Sequence, residues 1–419
     1  MTESFLHYLW KFRLLQPFLK STEGNNIEII SQGILNSDEG PDFQNAKIKI
    51  GETLWAGNVE IHLKSSDWKH HAHDLNDKYK SIILHVVYEN DKELDLNVPV
   101  LELKGKFDEK LLNTYEEFMQ SKQWVACENM LTAVDEFHIS LWLEKLCIER
   151  LENKSIQVKQ ILANSNSNWE EAFYIAVARA LGAKVNPHPF EILARSLPLQ
   201  ILAKHKNNLF QIEALLFGQS GMLNDTFVDE YPNSLKVEYA FLKNKYQLLP
   251  LDKKIWKFAK IHPNNFPTLR ISQFADLIYS SSHLLSKVLE ANSLSSLNAL
   301  FDAKASLYWD SHYVFSKQSS VKDKILGDMN KKLIIINAVI PFSFYYAICN
   351  GNAELKERML QFLRELPPEN NYLVHHWRHI GLKINDAFQS QAAIELKNNY
   401  CDQKKCLQCE IGSFLIRNG

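Results

Sequence analysis

The stretch DEGPDFQNAKIKIGETLWAGNVEIHLKSSDWKHHAHDLNDKYKSIILHVVYEND, residues 38–91, decides the fold of the N-terminal part of this chain. It alternates short segments rich in Ile, Val and Leu with turn residues, which is typical of strands. We predict strands over 43–50, 53–63 and 81–89, with a tight hairpin at 50–53. The same stretch holds five of the fifteen histidines of the chain, so it is also the first place to look for chemistry.

Elements on either side of this stretch complete a small α/β domain. Apolar residues at helical spacing predict a helix over 4–19, and two further strands are predicted over 27–35 and 98–104. The polar segment 64–80 could hold a short helix. The order helix, three strands, helical segment, strand, strand gives a mixed α/β sheet domain over residues 1–125.

From residue 126 to residue 419 the pattern becomes helical. Long stretches place apolar residues three or four positions apart, and Pro and Asn clusters separate them. No strand signal there rivals those near the N-terminus. We therefore expect an α+β domain followed by a large all-helical region, in one lobe or two, that ends in a cysteine-rich tail.

The bulk composition is that of an ordinary soluble protein. The 419 residues are 46% hydrophobic and 23% charged, and the net charge of -2 provides no general basic field for nucleic acid. No apolar run reaches the roughly 18 residues of a membrane span, and the N-terminus lacks the pattern of a secretory signal. Six cysteines are too few for a disulfide scaffold. We expect a cytoplasmic protein with no membrane partner; the sequence leaves its oligomeric state open.

Strand 53–63 carries polar residues at alternate positions. Glu60 and His62 therefore share one face of the strand, and Lys64 follows in the same register. Asp42 lies at the start of the neighbouring strand. Two carboxylates on neighbouring strands suit Mg²⁺ or Mn²⁺, because hard cations prefer oxygen ligands. We predict that Asp42 and Glu60 bind such an ion, and that His62 or Lys64 assists an attacking water.

A Pro-Asp pair at 41–42, before one strand, and Glu60-x-His62 on the next resemble the core of the PD-(D/E)XK, or restriction-endonuclease-like, nucleases. The resemblance is confined to the N-terminal domain. It implies a metal-dependent phosphodiesterase or nuclease, with Glu3 or Glu39 as the first-helix acid, and His62 stands where that superfamily has Lys. Over nearly the whole chain, the strings GPDF, GNVEIH, SDW, HVV and CLQCEIG resemble a bacterial family of uncharacterised proteins.

The histidines allow a second interpretation. His62, His71, His73 and His85 could hold Zn, Mn or Fe in a His/Asp metal hydrolase, because imidazole suits these metals. A third interpretation is a non-catalytic scaffold that binds nucleic acid or protein and retains a degenerate nuclease-like core. The sequence has no HExxH, no glycine-rich phosphate loop and no GxSxG, so the enzyme classes that use those motifs lose support.

Three cysteines cluster in the tail as Cys401-x4-Cys406-x2-Cys409. Such spacing lets thiolates hold one metal, and Cys127 is the preferred fourth ligand because it lies where the two domains join. Zn²⁺ is the expected ion. An iron–sulfur cluster is the alternative, since the spacing is also ferredoxin-like and some PD-(D/E)XK nucleases combine a late cysteine trio with one distant cysteine. Other candidates for the fourth ligand are Cys147, Cys349, His375, His376 and His379.

Two segments of the helical region suit contacts with nucleic acid. Arg270 lies near a helix N-terminus, where backbone N–H groups can receive phosphate. His376, Trp377 and Arg378 combine imidazole, indole and guanidinium groups, which suit phosphate contact and base stacking. We therefore expect nucleic acid as the partner.

Overall fold

A computed structural model describes residues 1–36, 38–71, 73, 76–95 and 97–418 of the protein. The chain forms two compact units, which we call the sheet unit and the helical unit. The sheet unit comprises Met1–Trp142, His379–Leu382 and Leu396–Gly419, and the helical unit comprises Leu143–Arg378 and Lys383–Glu395. A mixed-sheet region followed by a mostly helical region is thus confirmed. A single boundary near residue 125 does not describe these units, because the chain returns to the sheet unit near its end.

The sheet unit is built on one mixed sheet. Its strands are Leu19–Lys20 (β1), Asn26–Ser31 (β2), Ile34–Leu35 (β3), Phe43–Ile50 (β4), Thr53–Lys64 (β5), Ile82–Glu89 (β6) and Val100–Glu102 (β7). They lie in the order β1-β2-β4-β5-β6-β7, and β3 pairs with β4. β4 and β5 form the expected hairpin, with Ile50 opposite Thr53. β5 and β6 are parallel, so the chain must cross over the sheet between them.

Helices account for most of the remaining structure. The α-helices are Glu3–Lys11 (α1), Asp67–His70 (α2), Glu109–Gln120 (α3), Glu136–Ala163 (α4), Trp169–Leu181 (α5), Pro187–Ser196 (α6), Leu199–Ala203 (α7), Leu209–Gln219 (α8), Glu230–Tyr246 (α9), Pro267–Ser280 (α10), Leu284–Glu290 (α11), Leu294–Ala299 (α12), Asp328–Ile334 (α13), Ile340–Cys349 (α14), Ala353–Glu365 (α15), Tyr372–His379 (α16), Ala387–Glu395 (α17) and Glu410–Asn418 (α18). Short 3₁₀ segments and two π-helical segments, Ile335–Val339 and Leu396–Cys401, connect or extend them.

The first helix is shorter than predicted. The Thr2 hydroxyl accepts the N–H of Phe5 at 3.3 Å and caps the helix N-terminus. The helix ends at Lys11, because Arg13 adopts a left-handed conformation (φ 52°) that interrupts the helical hydrogen bonds. The helix predicted over 4–19 is therefore too long.

The helical unit contains one short hairpin as well as helices. His312–Val314 (β8) pairs with Lys317–Gln318 (β9), and Lys304 forms a bridge with Ile325. The expected all-helical region is therefore mostly, not entirely, helical.

The most apolar helical segment lies inside the helical unit. Asp328–Cys349 runs through α13, a π-helical turn and α14, and among the described residues it alone is long and apolar enough to cross a membrane. Of its most apolar window, 61% is buried within the protein, as in the core helix of a soluble protein. The run at 333–342 is thus core.

Close packing of α8 against α9 leads to a first prediction. A Cβ added to Gly218 would lie 2.0 Å from Cγ of the Tyr239 ring. We expect Gly218→Ala to lower the free energy of unfolding by about 1–3 kcal/mol, because overpacking outweighs the better helix propensity of Ala. Urea denaturation followed by far-UV circular dichroism measures it. The control is Gly327→Ala, whose Cβ would come no closer than 3.9 Å to another heavy atom. Its loss should be smaller, below about 1 kcal/mol, and should come from the poorer N-cap that Ala gives α13. Equal losses in both variants would contradict this packing.

Candidate metal centre

β5 places a carboxylate and an imidazole side by side inside the protein. Glu60 and His62 lie two residues apart and face the same side of the sheet. The alternation in the sequence was also compatible with a polar face exposed to solvent. In the structure, however, Glu60 is only 5% exposed and His62 only 1%. α2 packs on this strand, and the Trp68 ring centroid lies 6.5 Å from that of His62. The polar face of the strand is therefore covered, which makes each polar group on it costly unless it is partnered.

Asp42 is held against β5 by two hydrogen bonds. Its backbone N–H donates to Glu60 Oε2 at 3.2 Å, and its Oδ2 accepts the N–H of Ile61 at 2.8 Å. A β-bulge follows in β4, where Asn45 adopts a positive φ of 57°. Bulges often re-aim side chains next to functional sites. The structure thus brings together the two carboxylates that the sequence singled out.

Three potential ligand atoms converge on one point. Glu60 Oε1 lies 3.1 Å from His73 Nε2 and 3.5 Å from His62 Nε2, and the two nitrogens are 3.3 Å apart. A triangle with these sides has a circumscribed radius of about 1.9 Å, close to the ~2.0–2.2 Å of Zn–N and Zn–O bonds. His71 contributes a further nitrogen, since ligand atoms of His62, His71 and His73 all lie within 4.8 Å of one another. These side chains fit a divalent transition metal.

His85 has a different position from the other histidines. It is fully buried, and its Nε2 lies 2.9 Å from Nδ1 of His62. The tautomer of His62 that leaves Nε2 available as a ligand therefore donates its Nδ1–H to His85. Metal-binding histidines commonly have such a partner, which fixes the ring and its tautomer. His85, predicted as a possible ligand, lies behind His62 and orients it.

The pKa shifts in the cluster have the opposite directions to those expected for an ion pair. Burial first, and then the charge of Asp42, raises the pKa of Glu60 to about 8. Burial, together with neighbouring imidazoles, lowers the pKa of His62 to about 3 and that of His85 to about 4. A stable Glu–His ion pair would lower the carboxyl pKa and raise the imidazole pKa. Neutral imidazole is the form that metals bind, and a cation would favour ionised Glu60.

α1 supplies two more polar groups, one of which the sequence interpretation missed. Glu3 and His7 are one turn apart and share a helix face. His7 Nε2 lies 3.3 Å from Asp42 Oδ2, and burial, followed by the charge of Asp42, raises the pKa of Glu3. Glu39, the other candidate acid, is exposed and pairs with Lys78 at 2.7 Å. The four-residue spacing of Glu3 and His7 on a predicted helix is the sequence feature from which the position of His7 could have been predicted.

Lys64 does not share the environment of Glu60 and His62. It is exposed at the end of β5, and its backbone N–H donates to Asp67 Oδ2 at 3.0 Å. Of the two residues proposed to assist a water, His62 is therefore the one placed in the cluster.

Two residues predicted to contact nucleic acid are buried. Arg270 is 3% exposed, and its guanidinium donates to Gln273 Oε1 at 2.9 Å and to Asn265 Oδ1. Trp377 is 1% exposed, and its indole N–H donates to the carbonyl of Ala393 at 3.0 Å. Neither side chain presents a surface to phosphate or base.

The other two residues of that predicted interface lie on α16. Arg378 is exposed, but its Nε–H donates to the carbonyl of Ile384 at 3.0 Å. His376 is half-buried, with Nδ1 3.3 Å from the Tyr372 hydroxyl. With Trp377 buried, these residues do not form a stacking surface.

The predicted cysteine ligands share one unit. Cys127, Cys401, Cys406 and Cys409 belong to the sheet unit, whereas Cys147 and Cys349 belong to the helical unit.

Residues 3–372 match the model of a family described as a protein of unknown function, DUF2851. No match was found among the curated proteins or among the solved structures. The nuclease-like character of the N-terminal region therefore has no support beyond its own residues. The matched span includes the whole carboxylate–histidine cluster and Cys127 but ends before the cysteine trio. The chain belongs to the DUF2851 family.

Proposed function

We propose that this protein is a metal-dependent hydrolase of phosphodiesters, with nucleic acid as its substrate class. The proposal depends above all on the triangle of Glu60 Oε1, His62 Nε2 and His73 Nε2. Three such atoms, with Asp42 beside them, are the ligands and the neighbouring acid that hydrolytic metal sites use. The nuclease-like order of Pro-Asp and Glu-x-His on adjacent strands supports phosphodiesters over other esters.

The roles of the side chains follow from their contacts. A bound divalent cation would polarise a phosphoryl oxygen and lower the pKa of a water. Glu60, His62 and His73 would bind the cation, and His85 would hold the ring of His62. Asp42 Oδ2 lies 3.3 Å from His7 Nε2, so Asp42 and His7 would lie side by side next to the cation. The His7 side chain is 23% exposed, so it borders solvent.

The ligand set narrows the choice of metal. Imidazole ligands favour Zn²⁺ and the Glu60 carboxylate also suits Mn²⁺, whereas Mg²⁺ takes oxygen ligands. The His/Asp metal hydrolase considered as an alternative would share His62 and His73 with this centre, so substrate cleavage, and not metal binding alone, separates the two hypotheses.

Hydrolysis should depend on the ligands of the centre. With Mn²⁺ or Zn²⁺ we expect cleavage of bis(p-nitrophenyl) phosphate and of single-stranded DNA or RNA, and less with Mg²⁺. Glu60→Gln and His62→Gln should each lose about 100-fold or more in kcat/KM, because metal-derived stabilisation is worth several kcal/mol. The control is His70→Gln, an exposed histidine of α2 that lies 3.5 Å from Asp67 and should retain activity.

Two outcomes would count against this function. Metal-loaded protein that cleaves none of these substrates contradicts phosphodiester hydrolysis. Protein that holds no metal at Glu60 but binds nucleic acid in a salt-dependent way supports the non-catalytic scaffold instead.

Metal affinity should rise with pH. Because the pKa of Glu60 is about 8 without metal, binding at lower pH must displace a proton and should weaken about tenfold per pH unit. In the metal-free protein, the stability contribution of Glu60 is present below pH 4.5 and is lost as the pH rises through about 8. Calorimetric titration with Mn²⁺ from about pH 6 to about pH 9 measures the affinity. Glu60→Gln should bind weakly with a flatter profile, and a flat wild-type profile would show that Glu60 is not a ligand.

His85 should raise the metal affinity of the centre without being a ligand itself. His85→Leu removes the acceptor for the His62 Nδ1–H, and we expect a loss of about 10–100-fold in metal affinity. His85→Gln offers an amide oxygen in its place and should recover part of that loss. His73→Gln, which removes a ligand, should lose more affinity than either. Equal losses in His85→Gln and His73→Gln would place His85 among the ligands.

A further inference from the structure

A second cluster of metal-binding side chains lies in the sheet unit. Cys127 directly precedes the 3₁₀ segment Glu128–Ala133, and Cys409 directly precedes α18. That 3₁₀ segment packs against α18, so residues far apart in sequence come together. Cys401 is the last residue of the π-helical segment Leu396–Cys401, and Cys406 lies in the loop that leads from it into α18. All four cysteines are free thiols.

The loop that carries the cysteine trio is held by backbone contacts. The N–H of Lys404 donates to the carbonyl of Cys401 at 3.1 Å, and the Lys404 ammonium donates to the carbonyl of Ser121 at 3.3 Å, just after α3. A Cβ on Gly412 would lie 2.4 Å from the carbonyl oxygen of Cys406, so the loop lies directly on the first turn of α18. The positions of the thiols are thus fixed by main-chain packing.

The four thiols lie within electrostatic reach of one another. Burial is the main cause that raises the pKa of Cys127 to about 12, and Cys409 and Cys406 add to it. The pKa of Cys401 is raised by burial and then by Cys409, Cys127 and Cys406. Four ionised thiols at such sites would repel one another, whereas a cation would neutralise them and bind them as thiolates.

We propose that Cys127, Cys401, Cys406 and Cys409 form a four-thiolate metal site, with Zn²⁺ as the ion. Four cysteines around one ion complete a tetrahedral structural site and leave no position for substrate. An iron–sulfur cluster uses the same four thiolates, so composition must separate the two.

The site can be tested by metal content, without reference to activity. Protein purified anaerobically under reducing conditions should contain one zinc per chain that persists in His62→Gln, whose other centre is disabled. Cys→Ser at any of the four positions should lower the zinc content per chain at least about tenfold. Cys349→Ser changes an exposed cysteine of the helical unit and should retain it. Iron with acid-labile sulfide, lost in the same four variants, also supports the four-thiolate site.

A measurement on protein with intact cysteines tests the site even if the Cys→Ser variants fail to fold. X-ray absorption of the zinc in His62→Gln should show four sulfur neighbours at about 2.3 Å. A shell that contains nitrogen or oxygen overturns the proposal. Absence of both zinc and iron from the purified protein, combined with no cobalt–thiolate charge-transfer band on addition of Co²⁺, overturns it as well. Equal metal content in Cys409→Ser and Cys349→Ser has the same consequence.

Discussion

The cluster depends on one constraint, the burial of Glu60 among neutral imidazoles and beside a second carboxylate. A buried charge is costly unless it is paired, and His62 does not compensate it as a cation, since the pKa of His62 falls to about 3 while that of Glu60 rises to about 8. A fold selected only for stability would gain from apolar residues in these positions. Strongly perturbed groups that face one another in this way are characteristic of functional sites.

The topology of the sheet explains how these groups meet. β5 and β6 are parallel, and the chain between them must cross the sheet. That crossover carries His71 and His73 over the face on which Glu60 and His62 lie. The parallel register also sets His85 opposite Glu60, where its side chain reaches His62. An antiparallel connection of two residues could not bring histidines from the intervening segment onto this face.

Local periodicity was enough to predict part of this site. The hairpin at 50–53 and the alternation of β5 follow from sequence alone, and together they placed Glu60 and His62 beside Asp42. The burial of Glu60 and His62 could not be predicted from the sequence, because the same alternation occurs on a strand face exposed to solvent and on a face covered by a helix such as α2. The same limit applies to Arg270 and Trp377, whose chemistry suits nucleic acid but whose side chains lie inside the helical unit. His7 was missed because its partner Asp42, directly before β4, is 35 positions away in the chain.

The two clusters are connected through the packing of the sheet unit. α18 begins at the proposed cysteine site, and the hydroxyl of Tyr8 in α1 donates to the carbonyl of Ser413 in α18 at 3.1 Å. Tyr8 is adjacent to His7, which faces Asp42 from the same helix. The part of the sheet unit that includes α18 joins it only after the chain has passed through the helical unit, so closing that long loop costs entropy. A metal that fixes α18 would offset this cost and hold α1 in place, and through α1 it would hold His7 against the acidic pair.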